Sequence, residues 1–208
     1  MTDKLGLFNG ALRLLGERKL ASLVEAREPR RVLDDIWDEG AVKYCLSQGL
    51  WNFASRSGQY TYSPSYTPEF GLAFAFEKPE DWVRTSAVCS DEYFKVPLLN
   101  YSDEGGLWFA DIDTLYIRYV SNDASFGGDL ALWPLNFAKY VQSYLAFEAA
   151  PKISGSASKV ADIEKAMRHR LTQARSSDAM DEPTKFPARS SWLLSRGQFR
   201  HVRGSGIY

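Results

Sequence analysis

Apolar positions along the chain change their period twice. Near the N-terminus Leu5, Phe8, Leu12 and Leu15 recur at steps of three and four, the spacing that lines one face of an α-helix. Asp3 can accept from the first free N–H groups of that helix, and Gly16 can end it in the left-handed conformation. A second helix is predicted from Pro29 to Gln48, since proline suits a first helical turn. Its buried stripe is Leu33, Trp37, Ala41 and Tyr44, and Gly49 ends it.

From there the period falls to two. Leu72, Phe74 and Phe76 share one face of a predicted strand, with Ala73 and Ala75 on the other. Leu107 to Ala110 and Leu115 to Val120 read as two strands joined in a hairpin by the polar turn Asp111-Ile112-Asp113-Thr114. Further strands are expected near Ser57 to Tyr62, Val83 to Val88 and Tyr93 to Val96. The short connections make them antiparallel. Helical spacing returns after Trp133-Pro134, where Ala138, Val141, Leu145 and Ala149 align until Pro151 and Gly155. It continues from Ser156 to about Ser177 with Val160, Ile163, Met167, Leu171 and Ala174. Two long helices joined by a short turn favour an antiparallel hairpin.

The expected fold class is therefore α+β. Residues 1–50 and 133–177 form an antiparallel helical bundle, residues 51–132 an inserted antiparallel β segment, and residues 178–208 an extended C-terminal arm. Aromatic placement supports the division, because 18 of the 29 aromatic residues fall between Trp51 and Trp133. The arm changes sign along its length. Beyond Glu182 it has no acid, while Lys185, Arg189, Arg196, Arg200 and Arg203 give it a charge of +5. Phe186, Trp192, Leu193, Leu194, Phe199, Ile207 and Tyr208 are spread through it, more apolar bulk than a plain linker carries.

Charge and composition exclude more than they assign. With 25 basic and 26 acidic residues the net charge is −1, too balanced for the whole protein to grip nucleic acid electrostatically. The densest apolar run, Gly71 to Phe76, is far short of the ~20 residues that span a bilayer, so no membrane anchor is expected. The N-terminal segment, broken by Asn9 and Arg13 and lacking a small-residue cleavage site, does not read as a signal peptide. Cys45, Cys89, His169 and His201 cannot build a tetrahedral zinc site without carboxylate help, so no metal or cofactor is expected. The chain reads as a soluble globular protein with reduced cysteines.

Motifs for catalysis are sparse. No Gly-x-Gly-x-x-Gly, phosphate-cradling Gly-x-x-x-x-Gly-Lys or Gly-x-Ser-x-Gly elbow occurs, and the Gly105-Gly106 and Gly127-Gly128 pairs read as loops. Asp111 and Asp113 are the most enzyme-like carboxylates. A carboxylate pair can divide acid and base roles, but aspartates in tight turns also bond their own backbone. The cluster Asp34, Asp35, Asp38 and Glu39 is either a solvated helix face or a docking face for a basic segment. Cys45 and Cys89 read as small buried residues, and His169, between Arg168 and Arg170, as a surface one.

Several segments, taken in order, resemble one family. The opening Leu5-Gly6-Leu7-Phe8-Asn9-Gly10-Ala11-Leu12-Arg13-Leu14-Leu15-Gly16-Glu17, then Leu20 to Glu25, is similar to the N-terminus of tail tubular protein A-like head-to-tail adaptors of short-tailed phages. So are the helix closing on Gly49-Leu50-Trp51-Asn52-Phe53-Ala54 and the step Phe76-Glu77-Lys78-Pro79-Glu80-Asp81-Trp82-Val83-Arg84 into a sheet. Leu115-Tyr116-Ile117-Arg118-Tyr119 followed by Trp133-Pro134 and Phe137 to Ala146 resembles the family's strand-to-helix passage, and Ser191 to Arg196 its C-terminal tail. The final Gly197 to Tyr208 is longer and more basic than the family pattern.

The resemblance implies a structural virion protein without enzymatic activity. It would be made in the host bacterial cytoplasm and built into the head-to-tail junction. It would form a homo-oligomeric ring, a dodecamer in the family, between the portal protein and the tail nozzle protein. DNA would pass through the channel without sequence-specific binding. The expected portal-binding residues are Arg189, Trp192, Leu193, Leu194, Arg196, Phe199 and Arg200, the apolar ones as anchors and the arginines as register-setting ion pairs. The expected nozzle-facing loops hold Asp111, Asp113 and Thr114, then Asn122 and Asp123 within Asn122 to Gly128. Two alternatives remain open. One is a tail-associated cell-wall or glycan hydrolase using Asp111 and Asp113. The other is a DNA-binding module using the basic tail.

Overall fold

The computed structural model describes residues 2–181. The fold is α+β, with helices at both ends of the described chain and two small antiparallel sheets between them. Helix α1, Lys4–Leu15, begins and ends where its caps dictate. The Asp3 carboxylate accepts the Gly6 N–H at 2.9 Å, and Gly16 closes the helix at φ +75°. Its buried face is wider than the expected stripe, because Leu7 and Ala11 join Phe8, Leu12 and Leu15 while Leu5 stays half-exposed.

The second helix is not continuous. Helix α2, Glu28–Ile36, and helix α3, Val42–Ser47, meet at a kink over Trp37–Ala41 in which Gly40 adopts φ +103°. A left-handed residue rotates everything after it, so the expected stripe loses its phase. Leu33 and Ala41 are buried as expected, but Tyr44 is 48% exposed and Cys45 and Leu46 are buried in its stead.

Helices α4, Leu135–Ile153, and α5, Ala157–Met180, form the expected antiparallel pair. α4 runs through Pro151, which sits in the last turn where one missing N–H breaks little. α4 is also the element against which α1 and α2 pack, and it gives Phe137, Ala138, Val141, Leu145 and Ala149 to the shared core. The Lys159 ammonium caps α1 from across the body, donating to the Leu15 carbonyl at 2.9 Å.

Six strands follow one another between α3 and α4: β1 Ser55–Thr61, β2 Phe74–Glu77, β3 Trp82–Cys89, β4 Tyr101–Glu104, β5 Leu107–Ala110 and β6 Thr114–Ser121. They pair in the orders β1-β6-β3 and β2-β5-β4. β5 and β6 are therefore not a hairpin. The polar link at 111–113 carries the chain from one sheet to the other, and β6 pairs with β1 from Thr61↔Thr114 to Ser55↔Val120. The segment Tyr93 to Val96 is a turn and not a strand, since the Asp91 carboxylate accepts the N–H groups of Lys95 and Val96. Strand β4, unexpected from the pattern, is tied to β5 by Gly105-Gly106. Both glycines have positive φ, 60° and 81°, as a two-residue hairpin turn requires.

The two sheets face each other across a small aromatic core of Phe76, Val88, Trp108, Ala110, Leu115, Ile117 and Tyr119. The larger core lies among the helices and takes in Val83 and Val120 from the near end of the first sheet. Sheet and helices thus share side chains at that end.

Candidate functional site

The C-terminal end of α5 forms one wall of a groove of about 430 Å³, with residues 48–52 and Arg84 lining the rest. Its floor is the end of α3. Trp51 is fully buried and donates its indole N–H to the Leu46 carbonyl at 2.9 Å. A side chain at Gly49 would lie 2.7 Å from that indole, so the residue has to be glycine for the ring to fold back. Two arginines reach the free carbonyls that a helix end leaves: Arg84 from β3 donates to Ser47 O at 3.0 Å, and the Arg175 Nε from α5 donates to Gln48 O at 2.8 Å. One turn further along α5, the Asp178 carboxylate accepts the Asn52 N–H at 3.0 Å and the Asn52 amide donates to the Asp178 carbonyl at 2.8 Å. Asp178, expected to begin the arm, is helical and bonded to the start of the β segment. α5 runs to Met180, three residues past the expected end.

The seven expected portal-binding residues, Arg189, Trp192, Leu193, Leu194, Arg196, Phe199 and Arg200, lie outside the described residues. The expected nozzle-facing residues are described, and the structure does not bring them together. Thr114 opens β6 and Ser121 closes it, so the two loops stand at opposite ends of an eight-residue strand, about 23 Å apart at ~3.3 Å per residue. At the outer end Asp111 accepts from the Ala73 N–H at 3.1 Å and from the Asn100 amide at 3.2 Å, while the Asp113 carbonyl accepts the Tyr62 N–H. Asp111 therefore binds the neighbouring loops to the link between sheets, whereas an aspartate in a tight turn is expected to bond its own backbone. At the inner end the Asn122 N–H donates to the Asp81 carbonyl and the Asp123 N–H to the Ser121 hydroxyl. A Cβ on Gly127 would sit 2.3 Å from the Ser121 carbonyl oxygen and 2.9 Å from Leu46, so this loop lies tight on the helical body.

Of the acidic cluster on the second helix, Asp34 is half-buried and joins α2 to α1 through Lys4 at 3.0 Å, while pairing with Arg30 one turn back on its own helix. Asp35, Asp38 and Glu39 are exposed. Cys45 and Cys89 are both buried, and burial raises the thiol pKa of each, Cys45 far more. His169 is exposed. Among the described residues no group of three or more His, Cys, Asp or Glu side chains could hold a metal ion, and no helix is long and apolar enough to cross a membrane.

Two polar centres escaped the sequence reading, and both lie in the Phe76 to Arg84 stretch that links the sheets. Asp81 accepts from Arg56 at 2.9 Å, from the Ser121 hydroxyl at 2.5 Å and from the Tyr119 hydroxyl at 3.2 Å. Burial works to raise its carboxyl, but the bonds from Ser121 and Arg56 outweigh it and hold the group below its ordinary value. Lys78 is the other. Its side chain is only 8% exposed, and its ammonium lies 3.7 Å over the Trp82 ring and 2.5 Å from Asp103 of β4. Thr85 accepts the indole N–H groups of both Trp82 and Trp108 at 3.1 Å, closing a polar seam between the sheets. A lysine and an aspartate flanking a proline look like an exposed turn. Only the adjacent tryptophans hint that the cation is covered.

No protein-family model matches the chain, and no curated protein matches it.

Proposed function

We propose that the chain is a ring-forming head-to-tail adaptor of a short-tailed phage. In this reading it joins the portal to the tail nozzle, lines the DNA exit channel and acts without catalysis. The order and spacing of the N-terminal, strand-to-helix and C-terminal motifs suggest it. The observation that carries it is the lock between Asp178 and Asn52. The basic segment 183–208, with aromatic and aliphatic residues spread through it, follows a helix end tied to Asn52, which suits an arm that must be presented to a groove on a partner. In this reading the helices form a bundle with the β segment inserted, and Arg189 to Arg200 lie along the portal. The outer end of β6 at Asp111 to Thr114 faces the nozzle, without the Asn122 to Gly128 loop, which packs on the helices.

Co-sedimentation with the cognate portal ring tests the proposal, comparing the full chain with one ending at Glu182. Saturable binding by the full chain alone supports both the adaptor and its arm. Binding by both assigns the contact to the body, and binding by neither ends the adaptor reading.

A further inference from the structure

The second sheet presents an outer face that is covered at β2, where Ala75 is fully buried, and only partly covered over β5 and β4, where Leu107, Phe109 and Ser102 are half-buried and Glu104 is exposed. Register places Ala75 and Glu77 of β2, Leu107 and Phe109 of β5, and Ser102 and Glu104 of β4 on that side. The loop before β2 folds beside it, making a groove of about 460 Å³ with Pro68, Phe70, Leu72 and Phe109 as its apolar lining and Glu69 and Glu104 on its rim. Phe70 is 88% exposed and Leu99, on the loop entering β4, is 90% exposed. Exposed apolar surface of this kind, rimmed by charge, marks a contact site.

The charge of this region is one-sided. No lysine or arginine occurs between Arg56 and Lys78, or between Lys95 and Arg118. Those two stretches supply β2, β4, β5 and their loops, with Glu69, Glu77, Asp103, Glu104, Asp111 and Asp113 as their acids. Asp103 is matched by Lys78, but among the described residues Glu69, Glu77 and Glu104 have no cation within ion-pair distance. The chain contains one segment of the opposite character. From Pro183 to Tyr208 it has five bases and no acid, interleaved with Phe186, Trp192, Phe199 and Tyr208.

We infer that the groove between the Phe70 loop and the β4-β5 hairpin receives the basic C-terminal segment, 183–208, of a second copy of this chain. Charge opposition sets its register and the aromatic residues fill the apolar floor. The donor is a second copy because of where the segment starts. α5 ends beside Asn52, at the root of β1 in the first sheet, whereas the groove is on the outside of the second sheet. A segment docking on its own body must round the sandwich to arrive there. One reaching a neighbour need not, and 26 residues extend up to ~85 Å. Such a contact is head-to-tail, and repeated it closes a ring or grows a filament. The inference needs no phage partner and does not rest on the adaptor reading. The portal and the neighbour would draw on the same arm residues, so the two are tested apart.

The test is photo-cross-linking of the full chain with Phe70 replaced by p-benzoylphenylalanine, in an equal mixture of light and ¹⁵N-labelled protein without portal. Cross-links from position 70 to peptides within 183–208, half of them joining light to heavy chains, are expected. Reversing the rim with Glu69→Lys and Glu104→Lys lowers their yield about fivefold or more, and reversing the arm with Arg196→Glu and Arg200→Glu does the same. Mixing the two reversed proteins restores it. Cross-links confined to single chains overturn the proposal in favour of the protein's own arm. Cross-links to the body of another copy, no cross-link to the arm, or no restoration on mixing also overturn it.

Discussion

The helical core and the core between the sheets solve the same problem by different means. The helices bury a continuous volume of Leu, Ala and aromatic side chains, with Phe137 in edge or tilted contact with Trp51, Phe53, Trp133 and Tyr140. The sheets have seven buried residues between them and cannot enclose much volume. They close instead through Lys78, Asp103 and Thr85, a polar seam that orients two tryptophans. A large core tolerates approximate geometry because dispersion adds over many atoms, whereas a small one depends on a few directional contacts. The helical body should therefore yield to loss of volume, and the β segment to loss of a partner.

The heaviest blow falls on volume. Phe137→Ala should cost about 3–5 kcal/mol in urea unfolding, and α4 and β-segment probes should shift together, because the inner end of the first sheet belongs to the same core. Next comes the seam. Asp103→Ala leaves the covered Lys78 ammonium without its carboxylate and should cost about 1–3 kcal/mol. Hydrogen exchange should rise in β2, β4 and β5 while α4 amides stay protected. If α4 opens equally, the two cores are one and the comparison fails.

Asp81 sits where the regions meet. Its carboxyl is held below the ordinary value of about 4, so its contribution is complete above that value and is lost as the pH falls through the lower folded one. Asp81→Asn should cost about 1–2 kcal/mol at neutral pH, and the gap from the parent should close in acid. Glu148 on α4 gives the smallest effect, with the opposite sign. Desolvation and the negative Glu39 raise its carboxyl, so ionisation opposes folding above that raised value. Glu148→Gln should raise the melting temperature slightly at neutral pH, a difference that vanishes as the medium is acidified.

Local chemistry was readable and remote chemistry was not. Asp3 and Gly16 marked the ends of α1 because a cap needs only its neighbours. Tyr44 was misplaced because a periodic stripe assumes an unbroken helix, and Gly40 shifts the phase in the middle. The link at 111–113 suited a hairpin as well as a passage between sheets, and only the pairing of β6 with β1 and β3 decides between them. The end of α5 depends on Asn52, 126 residues earlier, which no window along the chain can contain. Asp81 and Lys78 went unread as centres for the same reason. Their partners come from other strands.

Strand β6 is hydrogen-bonded along both sides, and its two ends carry different loads. One end is embedded in the helices and the other holds the tip that links the sheets. A push or pull on the tip runs along the strand axis, where the hydrogen bonds on each flank resist sliding together and cannot unzip one by one. The protein has a strut between its tip and its body, stiffest in the direction along which a force at the tip would reach the helices.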